Sequence, residues 1–269
     1  MLLDASVKAT MQNQLFKFFN RNPRGRDFVV GDLHGHFSAL ELMLVQINFD
    51  PKHDRVFAVG DMIDRGPESS RVVEFLNYPW FHSVLGNHEQ MLLESANSPA
   101  VAKNWLGFNG GSWWRAVPET YHTRIRSVIG RLPIAIEVQT AAGRIGIVHA
   151  DIPYGMSWQN FVRSLCEDKE TREHALWSRQ RFRQVQMMGR TQPIAGIEMV
   201  IFGHTPIQKP LQYGNVCYID TGATYTTERT LGHLTLMEIH PVLEIHQLCI
   251  KTEKMLNQNK KREPVKIPA

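Results

Sequence analysis

The chain has 269 residues, 43% of them hydrophobic, and a net charge of +4. That length and apolar content suffice for a sizeable core, which excludes a disordered chain, and no window approaches the roughly 20 apolar residues of a membrane span. Three widely spaced cysteines, Cys166, Cys217 and Cys249, form neither a disulfide framework nor a CxxC zinc site and point to a reducing, cytoplasmic setting.

Residues 1–25 lack the sustained apolar run of a signal peptide and are read as an N-terminal extension. The stretches 26–32 (RDFVVGD), 54–61 (DRVFAVGD) and 81–87 (FHSVLGN) are short apolar runs, each leading to a Gly followed by a polar residue, which predicts strands that open into loops. Between them, 37–47 and 67–77 have helical spacing, the second with Pro67 at its first helical position and Glu68 in its first turn. Residues 90–130 and 156–190 read as mainly helical or irregular. Further strands are predicted at 132–138, 144–150, 199–204, 215–220, 234–239 and 242–248. No repeat or linker divides the chain, so one layered α/β domain with more than one sheet, over residues 26–250, is the expected architecture. The tail 251–269 holds six Lys or Arg against two Glu, which accounts for the whole net charge. It is read as a basic, flexible terminus, and the neutral remainder argues against a nucleic-acid partner.

The polar residues collected by the predicted strand ends are Asp32 and His34; Asp61, Asp64 and Arg65; Asn87 and His88; His149 and Asp151; and His204. In open α/β sheets functional groups gather beyond the carboxyl ends of strands, so segments remote in sequence can converge there. Carboxylates, imidazoles and an amide, with no thiolate, suit Mn²⁺, Fe or Zn²⁺. Six or seven such ligands exceed the needs of one ion, whereas two ions about 3.5–4 Å apart sharing a carboxylate would use them all and provide the paired Lewis acids of phosphoester hydrolysis. Asp61 lies between the Asp/His pair and the Asn/His pair in chain order, which makes it the candidate bridge.

The blocks GDLHGH (31–36), GDMIDRG (60–66), GNHE (86–89), VHAD (148–151) and FGHTP (202–206) resemble, in order, the signature motifs of the PPP-type metallophosphatases of the calcineurin-like superfamily. The chain is most similar to the small bacterial and phage branch, the lambda-phosphatase-like serine/threonine phosphatases. NWLGFNGGSWW, ALWSRQR and YIDTGA add to that likeness. The resemblance covers roughly residues 26–240 and implies a β-sandwich of mixed sheets flanked by helices.

It further implies Asp32, His34 and Asp61 around one metal and Asp61, Asn87, His149 and His204 around a second, with Mn²⁺ the expected ion. A hydroxide shared by the two ions would attack phosphorus in line. His88 would be the general acid, Asp64 would fix its tautomer, and Arg65 and Arg179 would grip the phosphoryl oxygens. His36 is read as a bystander, Glu89 as a supporting or helix-start carboxylate, Asp151 as an orienting, substrate-contacting or structural one, and Trp113 and Trp114 as packing aromatics. The implied substrates are phosphoserine, phosphothreonine and phosphotyrosine in proteins or peptides, and small aryl phosphates. Oligomeric state is left open, and no membrane partner is expected. The nearest rival is symmetric dinucleoside tetraphosphate hydrolysis, whose enzymes typically lack a counterpart of Asp64, carry GNHD in place of GNHE, and follow the last GH with Trp where Thr205 and Pro206 stand here. A non-catalytic binding module would be expected to have lost ligands or the acid, and none is lost.

Overall fold

A computed structural model describes residues 14–250. The predicted basic tail lies outside the described residues. Among the described residues eleven strands form two mixed sheets. The five-stranded sheet contains β2 (Asp27–Val30), β3 (Arg55–Ala58), β4 (Phe81–Ser83), β10 (His233–His240) and β11 (Glu244–Cys249), in the order β11-β10-β2-β3-β4. The six-stranded sheet contains β1 (Phe16–Phe19), β5 (Ala135–Gln139), β6 (Arg144–Val148), β7 (Met199–Phe202), β8 (Leu211–Tyr213) and β9 (Val216–Tyr218), in the order β1-β5-β6-β7-β9-β8. Strands β2, β3 and β4 run parallel, as do β6, β7 and β9.

Strict alternation sorts the apolar runs into layers. Val29, Phe57, Ile147, Ile201 and Met237 point between the sheets into one shared core. Their neighbours Phe28, Val56 and Leu236 point outward under the helices of one flank, and Val200 and Phe202 under those of the other. Central strands covered on both faces carry no polar alternation, which is why they read as unbroken apolar runs. Over the five-stranded sheet lie α1 (Phe37–Gln46), α2 (Val72–Leu76), α3 (Asn87–Glu94), α4 (Pro99–Phe108) and α5 (Glu119–Ile129), whose buried faces share that outer core. Over the six-stranded sheet lie α6 (Trp158–Glu167), α7 (Lys169–Trp177) and α8 (Gln180–Met188).

Three local outcomes differ from the sequence pattern. The extension predicted for residues 1–25 contributes β1, an edge strand paired in parallel with β5, and Phe19 packs edge-on against Phe57 at 5.0 Å. Its three aromatics are interrupted by a Lys and do not lead to the Gly-polar end that marks the predicted strands. Strand β8, also unpredicted, is a three-residue hairpin arm turning at Gly214. The helix expected over 67–77 is a 3₁₀ turn, Ser69–Arg71, followed by the short α2. Tertiary contacts consume its first turn: the Glu68 N–H donates to the Gly35 carbonyl (3.0 Å), and Ser69 Oγ accepts from the Asp64 N–H (2.9 Å).

Candidate active site

The parallel runs end together. β2 leads through Gly31 to Asp32 and His34, β3 through Gly60 to Asp61, and β4 through Gly86 to Asn87 and His88. From the other sheet β6 delivers His149 and β7 delivers His204. These five loops are laced to one another: the His34 N–H donates to the Asp61 carbonyl (2.8 Å) and the Gly203 N–H to the His149 carbonyl (2.8 Å). Gly86 and Gly203 are set by contact, since a Cβ at Gly86 would collide with Asp61 Oδ1 and one at Gly203 with Asp32 Oδ1.

The backbone here is unusual. Among the described residues six non-glycine positions have positive φ, and five are site residues: His34 (42°), Asp61 (47°), Asp64 (73°), Arg65 (66°) and His204 (65°). Each such conformation costs on the order of 1–3 kcal/mol and persists only where the surroundings impose it. At Asp61 that restraint comes from Glu89. Fully buried at the start of α3, its carboxylate accepts the N–H groups of Asp61 (2.8 Å), Met62 (2.8 Å), Ile63 (3.2 Å) and Gly86 (3.0 Å). Burial and the neighbouring Asp61 charge push its pKa up, while the backbone donors pull against the shift. Glu89→Gln would turn two of these N–H groups towards an amide NH₂. We expect the variant to stay folded by circular dichroism while its metal affinity, measured by calorimetric titration, falls by about 10–100-fold; unchanged affinity would remove Glu89 from any supporting role.

Three histidines have their tautomers fixed by backbone carbonyls. His34 Nδ1–H donates to Ile63 O (2.9 Å), His149 Nδ1–H to Val59 O (2.8 Å) and His204 Nε2–H to Trp177 O (3.2 Å). Burial depresses the pKa of all three, that of His204 to about 3, so the rings are neutral and offer lone pairs on the opposite nitrogens. Those nitrogens face oxygens. His149 Nε2 lies 2.8 Å from Asn87 Oδ1 and 3.4 Å from Asp61 Oδ1, His204 Nδ1 lies 2.9 Å from Asn87 Oδ1, and His34 Nε2 lies 3.8 Å from Asp61 Oδ2. At His149 and His204 lone pairs face the lone pairs of Asn87 and Asp61 in a buried site, which is repulsive until a cation lies among them, while His34 Nε2 is also reached by Arg65 Nη1; the donor set fits a divalent metal. The donor atoms of Asp61, His149 and His204 fall within 4.8 Å of one another, as do those of His34, Asp61 and His88, and Asp61 belongs to both groups. Asp32 is in neither group; its carboxylate oxygens accept from the His204 N–H at 3.2 and 3.1 Å. Its pKa is raised by burial and by the charges of Asp220 and Asp61. Asp220 is a buried carboxyl absent from the strand-end reading, and burial together with the Asp61 charge raises it to about 7.

His88 is different in kind. Its Nδ1–H donates to Asp64 Oδ2 at 2.6 Å, leaving Nε2 3.9 Å from Asp61 Oδ2. Burial disfavours its charge, but Asp61 and Asp64 outweigh that and raise its pKa. Asp64 itself is fully buried and receives two more donors, Trp105 Nε1 at 2.7 Å on Oδ2 and Trp113 Nε1 at 2.6 Å on Oδ1. Trp114 stacks on His122 at 3.9 Å, the packing role expected of it, whereas Trp113 turns its N–H inward. Indole spacing carries no signal for such a bond, so sequence reasoning missed both donors.

Arg65 and Arg179 are exposed at the rim. Arg65 Nη1 contacts His34 Nε2 (2.8 Å) and the Tyr225 hydroxyl (3.2 Å), and Arg179 Nη2 donates to the His204 carbonyl (3.2 Å). Arg179 is held indirectly by Asp151, which accepts from Arg181 N (2.8 Å) and Nε (3.0 Å) at the start of α8. Asp151 is thus tied to a buried arginine, in keeping with a structural role. His36 Nδ1–H donates to the His34 carbonyl (2.9 Å) and joins neither donor group. A cleft of about 660 Å³ opens alongside, lined in part by Tyr154, Trp177, Arg179, Arg183 and Met187. Among the described residues no helix is long and apolar enough to cross a membrane.

Residues 28–208 match the family model described as calcineurin-like phosphoesterase. A protein of Salmonella typhimurium named serine/threonine-protein phosphatase 1 is 36% identical over 211 residues, 77% of this chain and 91% of that protein. A symmetrical bis(5'-nucleosyl)-tetraphosphatase of Ectopseudomonas mendocina is 42% identical over 146 residues, 53% of this chain and 51% of that one. Among solved structures, a serine/threonine phosphatase of Saccharomyces cerevisiae superposes with a TM-score of 0.59 at 15% identity, covering 91% of this chain and 87% of that one.

Proposed function

The chain belongs to the calcineurin-like phosphoesterase family, and from that premise we propose that it is a phosphomonoesterase of phosphoserine and phosphothreonine in proteins, with phosphotyrosine and small aryl phosphates as further substrates. The observation that carries this reading is the buried Asp64–His88 pair beside the histidine–carboxylate cluster. A phosphomonoester releases a poor alkoxide leaving group, and a positioned acid is what such a group needs. His88, with Asp64 on Nδ1, keeps Nε2 as the nitrogen that gives up its proton. The two exposed guanidinium groups at the rim suit a dianionic phosphoryl group that must be held while its charge redistributes.

Asp32, His34 and Asp61 would hold one divalent ion, and Asp61, Asn87, His149 and His204 a second; the oxygen and nitrogen donors suit Mn²⁺, Fe or Zn²⁺, and the family resemblance favours Mn²⁺. When bound, such ions supply Lewis acidity that acidifies water and neutralises phosphoryl charge. The phosphatase relative matched over 91% of its length favours protein substrates over the dinucleotide hydrolase matched over half of its own. Thr205, Pro206 and Glu89 point the same way.

Four substrates compared in Mn²⁺-loaded and chelator-stripped protein test the reading. Phosphoserine peptide should exceed diadenosine tetraphosphate in kcat/KM by at least about tenfold, with phosphotyrosine peptide and p-nitrophenyl phosphate also cleaved and all activity lost on stripping. Preference for the tetraphosphate would instead establish the dinucleotide hydrolase reading.

A further inference from the structure

We propose that Trp105 and Trp113 are positioning residues for the proton-donating step, an inference that rests on the reading of His88 as general acid. Asp64 has no exposure to solvent and receives three N–H donors, from His88, Trp105 and Trp113, all within 2.7 Å. Two of the three are indoles. An indole N–H is donor-only and carries no charge. It therefore fixes the carboxylate without neutralising it, which a lysine or arginine in the same place would do. The full negative charge of Asp64 remains available to His88, and the plane of the carboxylate cannot rotate away from Nδ1 while Oδ1 and Oδ2 are each tethered.

The surrounding chain is shaped to deliver these two bonds. Trp105 is fully buried in α4, and the turn that follows brings Gly111 flat against its ring, where a Cβ would lie 2.5 Å from Cε2. Gly110, at φ 84°, turns the backbone so that Trp113 returns to bond the other oxygen of Asp64. Trp113 is locked edge-on against Trp114 at 5.5 Å. The same turn presents the Gly110 carbonyl to the Arg65 N–H at 3.1 Å, so one loop supports the carboxylate and the neighbouring arginine together. The segment NWLGFNGGSWW is thereby accounted for as a clamp.

Trp113→Phe, at a half-buried position, removes one donor with little change in packing, and Trp105→Phe removes the other. Both would be assayed with Mn²⁺-loaded protein on aryl phosphates from 2,4-dinitrophenyl to phenyl phosphate, beside His88→Asn, with metal content measured for each. Each Trp variant should hold the wild-type metal content and lose about tenfold in kcat/KM on phenyl phosphate, while staying within about twofold on the dinitrophenyl ester, whose leaving group needs no proton. A uniform loss along the series, or none, while His88→Asn is steep would overturn the clamp and leave the general acid standing. A flat series for His88→Asn would overturn both. A readout independent of turnover comes from the six indole N–H resonances in an ¹⁵N spectrum. Two of them should move upfield in Asp64→Asn, and a spectrum in which neither moves would contradict the bonds to Asp64.

Discussion

Replacing Asp61 by Asn is expected to remove bound metal and to lower the hydrolysis of p-nitrophenyl phosphate by on the order of 10³-fold or more, since a catalytic ion contributes several kcal/mol of charge stabilisation. The substitution isolates charge from shape. Asn tolerates the left-handed conformation that Asp61 adopts at φ 47°. Its side-chain oxygen can still accept the His88 N–H that now reaches Asp61 Oδ1 at 3.0 Å. What disappears is the buried anion that the ring nitrogens of His34, His88 and His149 face. Because Asp61 is the shared member of both donor groups, its loss should affect both ions at once. Elemental analysis of the purified variant, with a melting curve to show that it is folded, separates the outcomes. Metal content equal to wild type, or a rate within tenfold of it, would contradict the central placement of Asp61.

The parts of this centre legible in the sequence are those written as motifs at strand ends. Apolar runs broken by Gly and a polar residue locate the loops because a strand buried on both faces must be apolar throughout and must stop where the chain needs polar chemistry. Asp32, His34, Asp61, Asn87, His88, His149 and His204 follow directly from that pattern, and a layered α/β domain with more than one sheet follows from the alternation of runs and helical stretches. What stayed hidden depends on tertiary geometry. Nothing local announces that His34, Asp61, Asp64, Arg65 and His204 are left-handed, because none is glycine and the conformation is imposed by bonds from other loops. Glu89 looks like an ordinary first-turn acid, yet its four acceptor contacts reach back 26–28 residues to the Asp61–Ile63 loop as well as to Gly86. Trp105 and Trp113 have the composition of core residues, and their distinguishing feature is the direction of one N–H bond. Strand β1 escaped for a simpler reason: a Lys interrupts its aromatics, and no Gly followed by a polar residue marks its end.

Replacing His88 by Asn should depress kcat by about 10²–10⁴-fold on phosphoserine peptide, the range contributed by a positioned general acid, while metal content stays as in wild type. The backbone supports that separation. The hydrogen bond of His88 to Asp61 is made by its main-chain N–H, which the substitution keeps. An Asn side chain also retains an N–H donor for Asp64, so the buried carboxylate does not lose its third partner and the fold is not asked to bear an unsatisfied charge. The variant lacks a group that can release a proton near neutral pH, which wild-type His88 is equipped to do by its raised pKa and by its Nδ1 bond to Asp64. The deficit should therefore scale with leaving-group basicity: large for serine and phenol, slight for dinitrophenol, which departs as a stable anion. Loss of metal from the variant would instead make His88 a ligand, as the proximity of its donor atom to those of His34 and Asp61 permits. Retained metal with an equal deficit on every ester would leave it a structural residue. Only retained metal combined with a deficit that grows with leaving-group basicity assigns the proton to Nε2.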